Sequence, residues 1–447
     1  MLRRFAISGM LACVALAAGA RTRPPYGGTL RVETQGDPWQ MPDGLARRLV
    51  LDSLTATGDT GAAQPALAVH WESENAAHRW EFQIRAGVRF QDGSPLTAEA
   101  AVASLDADCE PKFAQCPWQT VRAVGQSVVF VTESAMPDLP ELLAQAQFAI
   151  ARQDATGAPE GTGPFRVTGF SNGALHLAAN DDCWAGRPFE DAIDIFPHRA
   201  IRDQWLDLNV GRADVVEVPA EMLRQAGQQH LSILESRPVD LLALTIAPEG
   251  PMGSLAMRQA AALAVDRAAL TNVIFEKQGE TTASLVPEEI SGYAFLFSAS
   301  RDLDRARALR GGATAQALGL MVNGGSATMQ LAAERLALNL HEAGFNVQIV
   351  ADANEHPLLT LRRVHCESPA PRAALDEMLA ALEQNSTVNG TEPAALWRAE
   401  QAALANGTVV PLLWLPRAWA VGERVRDLRL SPDGAPMLAN AAVEGAQ

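Results

Sequence analysis

Alternating apolar and polar positions place a first strand at Gly28–Thr34, closed by a turn at Gly36-Asp37-Pro38. Trp80, Phe82 and Ile84 share one face at period two. After Ala86-Gly87 the next alternation brings Val88 and Phe90 together, which predicts a β-hairpin. Asp92-Gly93-Ser94-Pro95 then turns the chain into a helix from about Ala98 with Thr97 as N-cap, although Ala100 stands where a full capping box wants an acid or amide. A second hairpin is predicted from Phe165–Val167 and Leu175–Leu177 around Asn172-Gly173.

The run Asp240–Ala247 is almost wholly apolar, as a strand covered on both faces would be. Met257–Ala264 and Arg267–Phe275 read as consecutive helices, the second capped by Asp266. Leu318–Val322, Met329–Glu342, the stop at Gly344 and Val347–Val350 together spell strand, helix, strand. That unit is a β-α-β crossover, so part of the molecule contains a parallel sheet with helices on its faces.

The chain has 447 residues, enough at roughly 150 per domain for two or three domains. Its net charge of -16 sets its surface field against phosphate backbones and anionic lipid heads, which removes nucleic acid from the expected partners. Arg3 and Arg4 precede the apolar stretch Phe5–Ala18, and Ala18-Gly19-Ala20 supplies small residues for cleavage before Arg21. Residues 1–20 therefore read as a signal peptide and the protein as periplasmic. A lipoprotein box ending at Cys13 and a twin-arginine signal at Arg3-Arg4-Phe5 rank below that reading.

Export places the later cysteines in an oxidising space. Cys109 and Cys116 are a candidate local disulfide, while Cys183 and Cys366 are left open as paired or free. The scattered histidines show no metal-ligand spacing, and there is no GxSxG elbow. No metal, no cofactor and no catalytic residue is expected, and the chain reads as a non-enzyme.

Pro65–Glu72 together with Trp80–Glu99 resembles the signature of the extracytoplasmic solute-binding proteins of family 5, the dipeptide-, oligopeptide- and nickel-binding proteins of ABC transporters. Further motifs follow in the same order. They are Gly161-Thr162-Gly163-Pro164-Phe165, Asn180–Pro188, Leu208–Val215, Met257–Ala260 with Val265-Asp266-Arg267, and Pro411-Leu412-Leu413-Trp414. The resemblance implies an α/β, periplasmic-binding-protein-like two-lobed clamshell of type II, with mixed sheets, flanking helices and an extra N-terminal subdomain.

Lobe one is then expected from residues 27–49, 159–245 and 409–447, its extra subdomain from 50–158, and lobe two from 246–408, with hinge strands near Leu241–Ala247 and Val409–Leu415. The implied function is to capture an oligopeptide-like small solute between the lobes and present it, as a monomer, to the membrane subunits of an ABC permease. A family member that no longer feeds transport, acting as a sensor or scaffold, is the alternative. The family's peptide binders anchor the ligand's amino terminus on a longer segment than Val364–Arg372, and no residue here is assigned that role.

Six residues are candidates for the ligand site, each beside a structural reading. Gln35 and Asp37 lie at the end of the first strand, where Asp37 equally suits a turn cap. Trp184 lines the cleft or packs under the sheet. Thr245 and Trp414 sit on the expected hinge strands, and Arg363 meets a solute carboxylate or remains a surface charge. Gly161-x-Gly163 reads as a structural turn because Pro164 and the alternation after it do not open a helix, and Trp71, Trp80, Phe82 and Phe90 read as subdomain core.

Overall fold

The computed structural model describes residues 26–444 apart from 41–43, 59–60, 109–117, 155–156, 294–296, 313–315, 324–325, 352–355, 385–387 and 389. The expected signal peptide, Cys13 and the Cys109–Cys116 bridge lie outside the described residues. Among those residues no helix is long and apolar enough to cross a membrane.

Eleven strands form one mixed sheet. In chain order they are β1 (Thr29–Glu33), β2 (Phe165–Ser171), β3 (Ala174–Ala179), β4 (Ala192–Phe196), β5 (Val215–Val218), β6 (Ser232–Ile246), β7 (Glu280–Thr281), β8 (Ala317–Val322), β9 (Asn346–Val350), β10 (Leu359–His365) and β11 (Val409–Val421). Their spatial order is β2-β3-β4-β1-β5-β11-β6-β10-β8-β9, with β7 on β11. β1 lies between parallel β4 and β5, and its Leu30 and Val32 are fully buried. The β2–β3 turn has positive φ at Asn172 and Gly173, the paired left-handed conformation that a two-residue hairpin needs. The β-α-β unit forms as predicted. Ser326 caps helix α1 (Ala327–Glu342) through the Met329 N–H, Gly344 stops it at φ 93°, and β8 pairs in parallel with β9.

The long strands β6 and β11 divide the sheet. Their ladder is regular from Ser232–Glu235 against Ala418–Val421, then shifts register twice around Pro238, which stands opposite Pro416. Neither proline has an N–H to give, so the ladder fails there, and the Ser236 hydroxyl instead accepts the Arg417 N–H at 3.0 Å. On one side of the break lie β1–β5, and on the other β7–β10. This is a two-lobed clamshell, and the stretches expected as hinge, 241–247 and 409–415, lie beyond the break and pair with each other. β6 is buried on both faces there. Leu242 and Leu244 join the apolar cluster under α1, while Leu241 and Ala243 join another that contains Leu375 and Trp414.

The hairpin expected from Trp80–Ile84 with Val88–Phe90 does not form. Arg79–Ile84 pairs instead with Ala68–Glu74 and Ser127–Val131. After Gly87 (φ 82°) the chain folds on itself, with Leu96 N–H donating to Val88 O and Ser94 N–H to the Asp92 carboxylate. Val88 and Phe90 still enter the same core as Trp80, Phe82 and Phe130, so the period set their burial but not their partner. The Thr97 hydroxyl accepts the Ala100 N–H at 3.2 Å and caps the helix Ala98–Asp108. The predicted helix Arg267–Phe275 is one turn, Arg267–Ala269, followed by a π-turn, Leu270–Ile274, with Asp266 as its cap.

Gly161 and Gly163 press against the backbone of Leu49–Leu51, and a β-carbon on Gly163 would stand 2.6 Å from Leu49 O. Gly163→Ala is therefore expected to destabilise the protein by roughly 1–3 kcal/mol through overpacking. Gly227, around which a β-carbon meets nothing within 4 Å, is helical and should tolerate alanine without loss. Urea unfolding of the two variants checks the difference.

Candidate functional site

The break between Pro238 and Pro416 opens a crevice of about 280 Å³ whose walls come from both sides of the sheet. β1 delivers Gln35 and Gly36 just past its end, β5 delivers Glu217, β6 Asp240, β10 Arg363 and His365, and β11 Arg417 to Trp419. The crevice therefore lies outside the carboxyl ends of the parallel strands β1 and β5, where open α/β sheets place ligands. The Gln35 N–H donates to the Glu217 carboxylate at 2.6 Å, and the Gln204 side-chain amide donates to it at 3.2 Å. Burial raises the Glu217 carboxyl above its usual range against the pull of those bonds.

A web of ion pairs forms the floor. Asp240 accepts from Arg363 Nε at 2.9 Å and from His365 Nδ1 at 2.7 Å. His365 Nε2 stands 3.9 Å from Asp433, an ion-pair rather than hydrogen-bond distance, and Asp433 meets Arg48 Nη2 at 2.5 Å. The His365 side chain is 5% exposed. Burial opposes its charge, yet Asp240 and Asp433 outweigh that and push the imidazole up to about 10. Burial likewise opposes ionisation of Asp240, but Arg363 and His365 hold its carboxyl below the usual range. The imidazole is therefore a cation at neutral pH.

The short segment after β10 continues the web into the neighbouring subdomain. Glu367 accepts the Ala146 N–H at 2.8 Å and pairs with Arg48 at 3.2 Å. Glu377 accepts the N–H groups of Glu367 and Ser368, and burial raises its carboxyl to about 7. Arg372 reaches Ala135 O at 2.9 Å and Asp138 at 3.3 Å. Where the segment is short, it runs directly from β10 onto residues 135–146.

Of the six candidate residues, Gln35 and Arg363 come together in this crevice. Asp37 lies two residues on, and its carboxylate accepts the Trp39 N–H at 2.8 Å. Trp184 stands at the subdomain, where its ring N–H donates to Asp52 at 2.8 Å beneath the Arg85 guanidinium. Thr245 lines a separate hollow of about 490 Å³ near Thr360 and Gln384. Trp414 is buried beside Leu241 and Leu375, and among the described residues its ring N–H has no acceptor. Cys183 and Cys366 are both buried free thiols.

Glu217, Asp240, His365 and Arg417 were not anticipated. One signal for three of them is legible afterwards: a charged residue inside or at the end of an apolar strand run is rarely buried without a partner, so Asp240, His365 and Arg417 mark a shared site.

Residues 62–367 match the family model described as "Bacterial extracellular solute-binding proteins, family 5 Middle". The chain is 24% identical over 250 residues to the nickel-binding protein NikA of Staphylococcus aureus, covering 54% of this chain and 50% of that protein. It is 23% identical over 275 residues to the dipeptide-binding protein of Escherichia coli, covering 51% and 50% respectively. The chain thus spans about half the length of the curated relatives it matches. The solved murein tripeptide binding protein MppA of Escherichia coli superposes with a TM-score of 0.79 at 15% identity, over 94% of this chain and 99% of that one, which establishes the shared fold.

A histidine pKa raised in the folded state stabilises fully below the unfolded value, and that stability is lost as pH rises through the folded value. The window for His365 runs from 6.5 to about 10. His365→Gln removes the charge between two buried carboxylates and is expected to lower the unfolding free energy at pH 6 by about 3–5 kcal/mol. The difference from wild type should shrink towards pH 10, as measured by denaturant titration at each pH. A difference that stays constant with pH would contradict the charged imidazole.

Proposed function

The chain belongs to the bacterial extracellular solute-binding proteins of family 5, and from that premise we propose that it is the solute receptor of an ABC importer. It works in the periplasm after export, as a monomer, holding a peptide-like solute between its lobes and presenting it to the permease subunits. It performs no chemistry on that solute. The observation that carries the reading is the crevice at the Pro238–Pro416 break, walled by residues of both lobes. Closure there excludes water, so each charge-assisted hydrogen bond to the solute strengthens, and closure itself is the state that a permease distinguishes.

The lining argues for the chemistry of the solute. Three basic groups, Arg363, Arg417 and the charged His365, face the crevice against two acids, Glu217 and Asp240, the second of which bonds Arg363 and His365. A solute bearing a carboxylate fits that balance. The volume of about 280 Å³ lies at the small end of ligand pockets, which favours a di- or tripeptide-sized solute over a long peptide. Relatives named for binding a dipeptide and a murein tripeptide agree with that size.

A thermal-shift panel of short peptides, opines, sugars and metal chelates tests the reading. A solute at 100 times its dissociation constant should add about 2.7 kcal/mol and raise the midpoint by several degrees. Arg363→Ala is expected to weaken a carboxylate-bearing solute tenfold or more while leaving its amidated analogue nearly unchanged. Silence across the whole panel would contradict the receptor function and favour the sensor or scaffold alternative.

A further inference from the structure

Away from the crevice, the outer edge of the first lobe brings a serine, a histidine and an aspartate together. Ser171 ends β2, His176 lies on β3, and Asp194 lies on β4, directly opposite His176 in the antiparallel ladder. The residue opposite His176 on β2 is Gly169, so that strand puts no side chain between the imidazole and Ser171. His176 Nδ1 is 2.7 Å from Asp194 Oδ1, and His176 Nε2 is 2.9 Å from Ser171 Oγ. Ser171 is exposed, and none of the three lines the crevice.

The chemistry of the three groups decides which of them donates. A carboxylate only accepts, so in the neutral imidazole the Nδ1–H points at Asp194 and Nε2 keeps its lone pair. The Ser171 hydroxyl then donates to Nε2. Nucleophile, base and orienting acid thus stand at the hydrogen-bond separations that acyl transfer requires. Once Nε2 has taken the proton, the Ser171 carbonyl oxygen, 3.3 Å away, can accept from it as well. The N–H of Asn172, the residue after the serine, donates to no acceptor among the described residues and is the kind of donor that an oxyanion uses. Strand pairing rather than a local motif makes this arrangement, so no GxSxG elbow announces it.

We propose that Ser171, His176 and Asp194 form an acyl-transfer site for small activated esters, separate from the solute crevice. Ser171 Oγ attacks the ester carbonyl carbon and passes its proton to His176 Nε2. The Oγ–C bond forms, the ester C–O bond breaks, and the imidazolium returns the proton to the departing alkoxide. Water then attacks the acyl carbon and gives a proton to Nε2, and the bond to Ser171 Oγ breaks as that proton returns to the serine. Asp194 is a positioning residue. The His176 and Asp194 side chains are 31% and 25% exposed, so the acid acts by holding the ring and its tautomer more than by its charge. The site needs only the edge of the first lobe and is independent of the receptor reading.

Treating the full chain with p-nitrophenyl acetate, and separately with a fluorophosphonate, and mapping the adducts by peptide mass spectrometry tests the site. The acetyl or phosphonyl group should be found on Ser171, and nitrophenolate release should exceed that of Ser171→Ala by about tenfold or more. His176→Gln should slow labelling of Ser171 by about the same factor. Nitrogen NMR of the wild type should show the neutral His176 ring with its proton on Nδ1, and Asp194→Ala should lose that tautomer together with the labelling. Equal ester cleavage by wild type and Ser171→Ala, the mark of a histidine acting alone, overturns the proposal. So does labelling of Ser171 that is no faster than that of other exposed serines or that His176→Gln leaves unchanged, or a wild-type ring with its proton on Nε2.

Discussion

The buried carboxylate of Asp240 is the interaction on which the rest of the structure depends. It stands where two prolines face each other and the β6–β11 ladder has lost its backbone bonds, and it gathers Arg363 and His365 from β10 at that gap, with Arg417 of β11 3.9 Å away. Without those cations an ionised acid in this position would be strongly disfavoured. Without the acid, three cations would crowd one seam. The backbone already pairs β6 with β10 at Asp240 and His365, so the acid reinforces that pair and, through Arg417, carries charge across the β6–β11 break, the line along which the two lobes meet.

The same economy explains why the seam suits binding. A continuous ladder would bury its N–H and C=O groups and present only side chains, whereas an interrupted one leaves an opening with polar groups already oriented by their neighbours. Gln35 is fixed through its backbone to Glu217, and Arg363 through Asp240, so neither group must be ordered when a solute arrives. Preorganisation of that kind lowers the entropy lost on association. The web continues through Asp433, Arg48 and Glu367 to the backbone of Ala146, so the floor of the crevice is braced against the N-terminal subdomain.

Much of the architecture was legible in the chain. The β-α-β unit, the Asn172-Gly173 hairpin and the Thr97 cap follow from periods and local hydrogen bonding that do not depend on distant contacts. Pairing of the subdomain strands was not legible, because a period of two fixes which face is buried but not which strand lies alongside. The crevice was legible only in part. Gln35 was a candidate from its place at a strand end, and Arg363 from its place beside the segment Val364–Arg372. Glu217, Asp240, His365 and Arg417 come together from four strands separated by up to two hundred residues, and no local pattern brings such groups into one site.

A crystal structure of the chain with a stabilising short peptide bound tests the account most directly. The account predicts the peptide in the crevice at the Pro238–Pro416 break, its carboxylate within hydrogen-bond distance of Arg363 or Arg417 and its body enclosed by residues of both lobes. A peptide bound instead in the hollow beside Thr245 and Gln384, with the crevice unfilled, would contradict it.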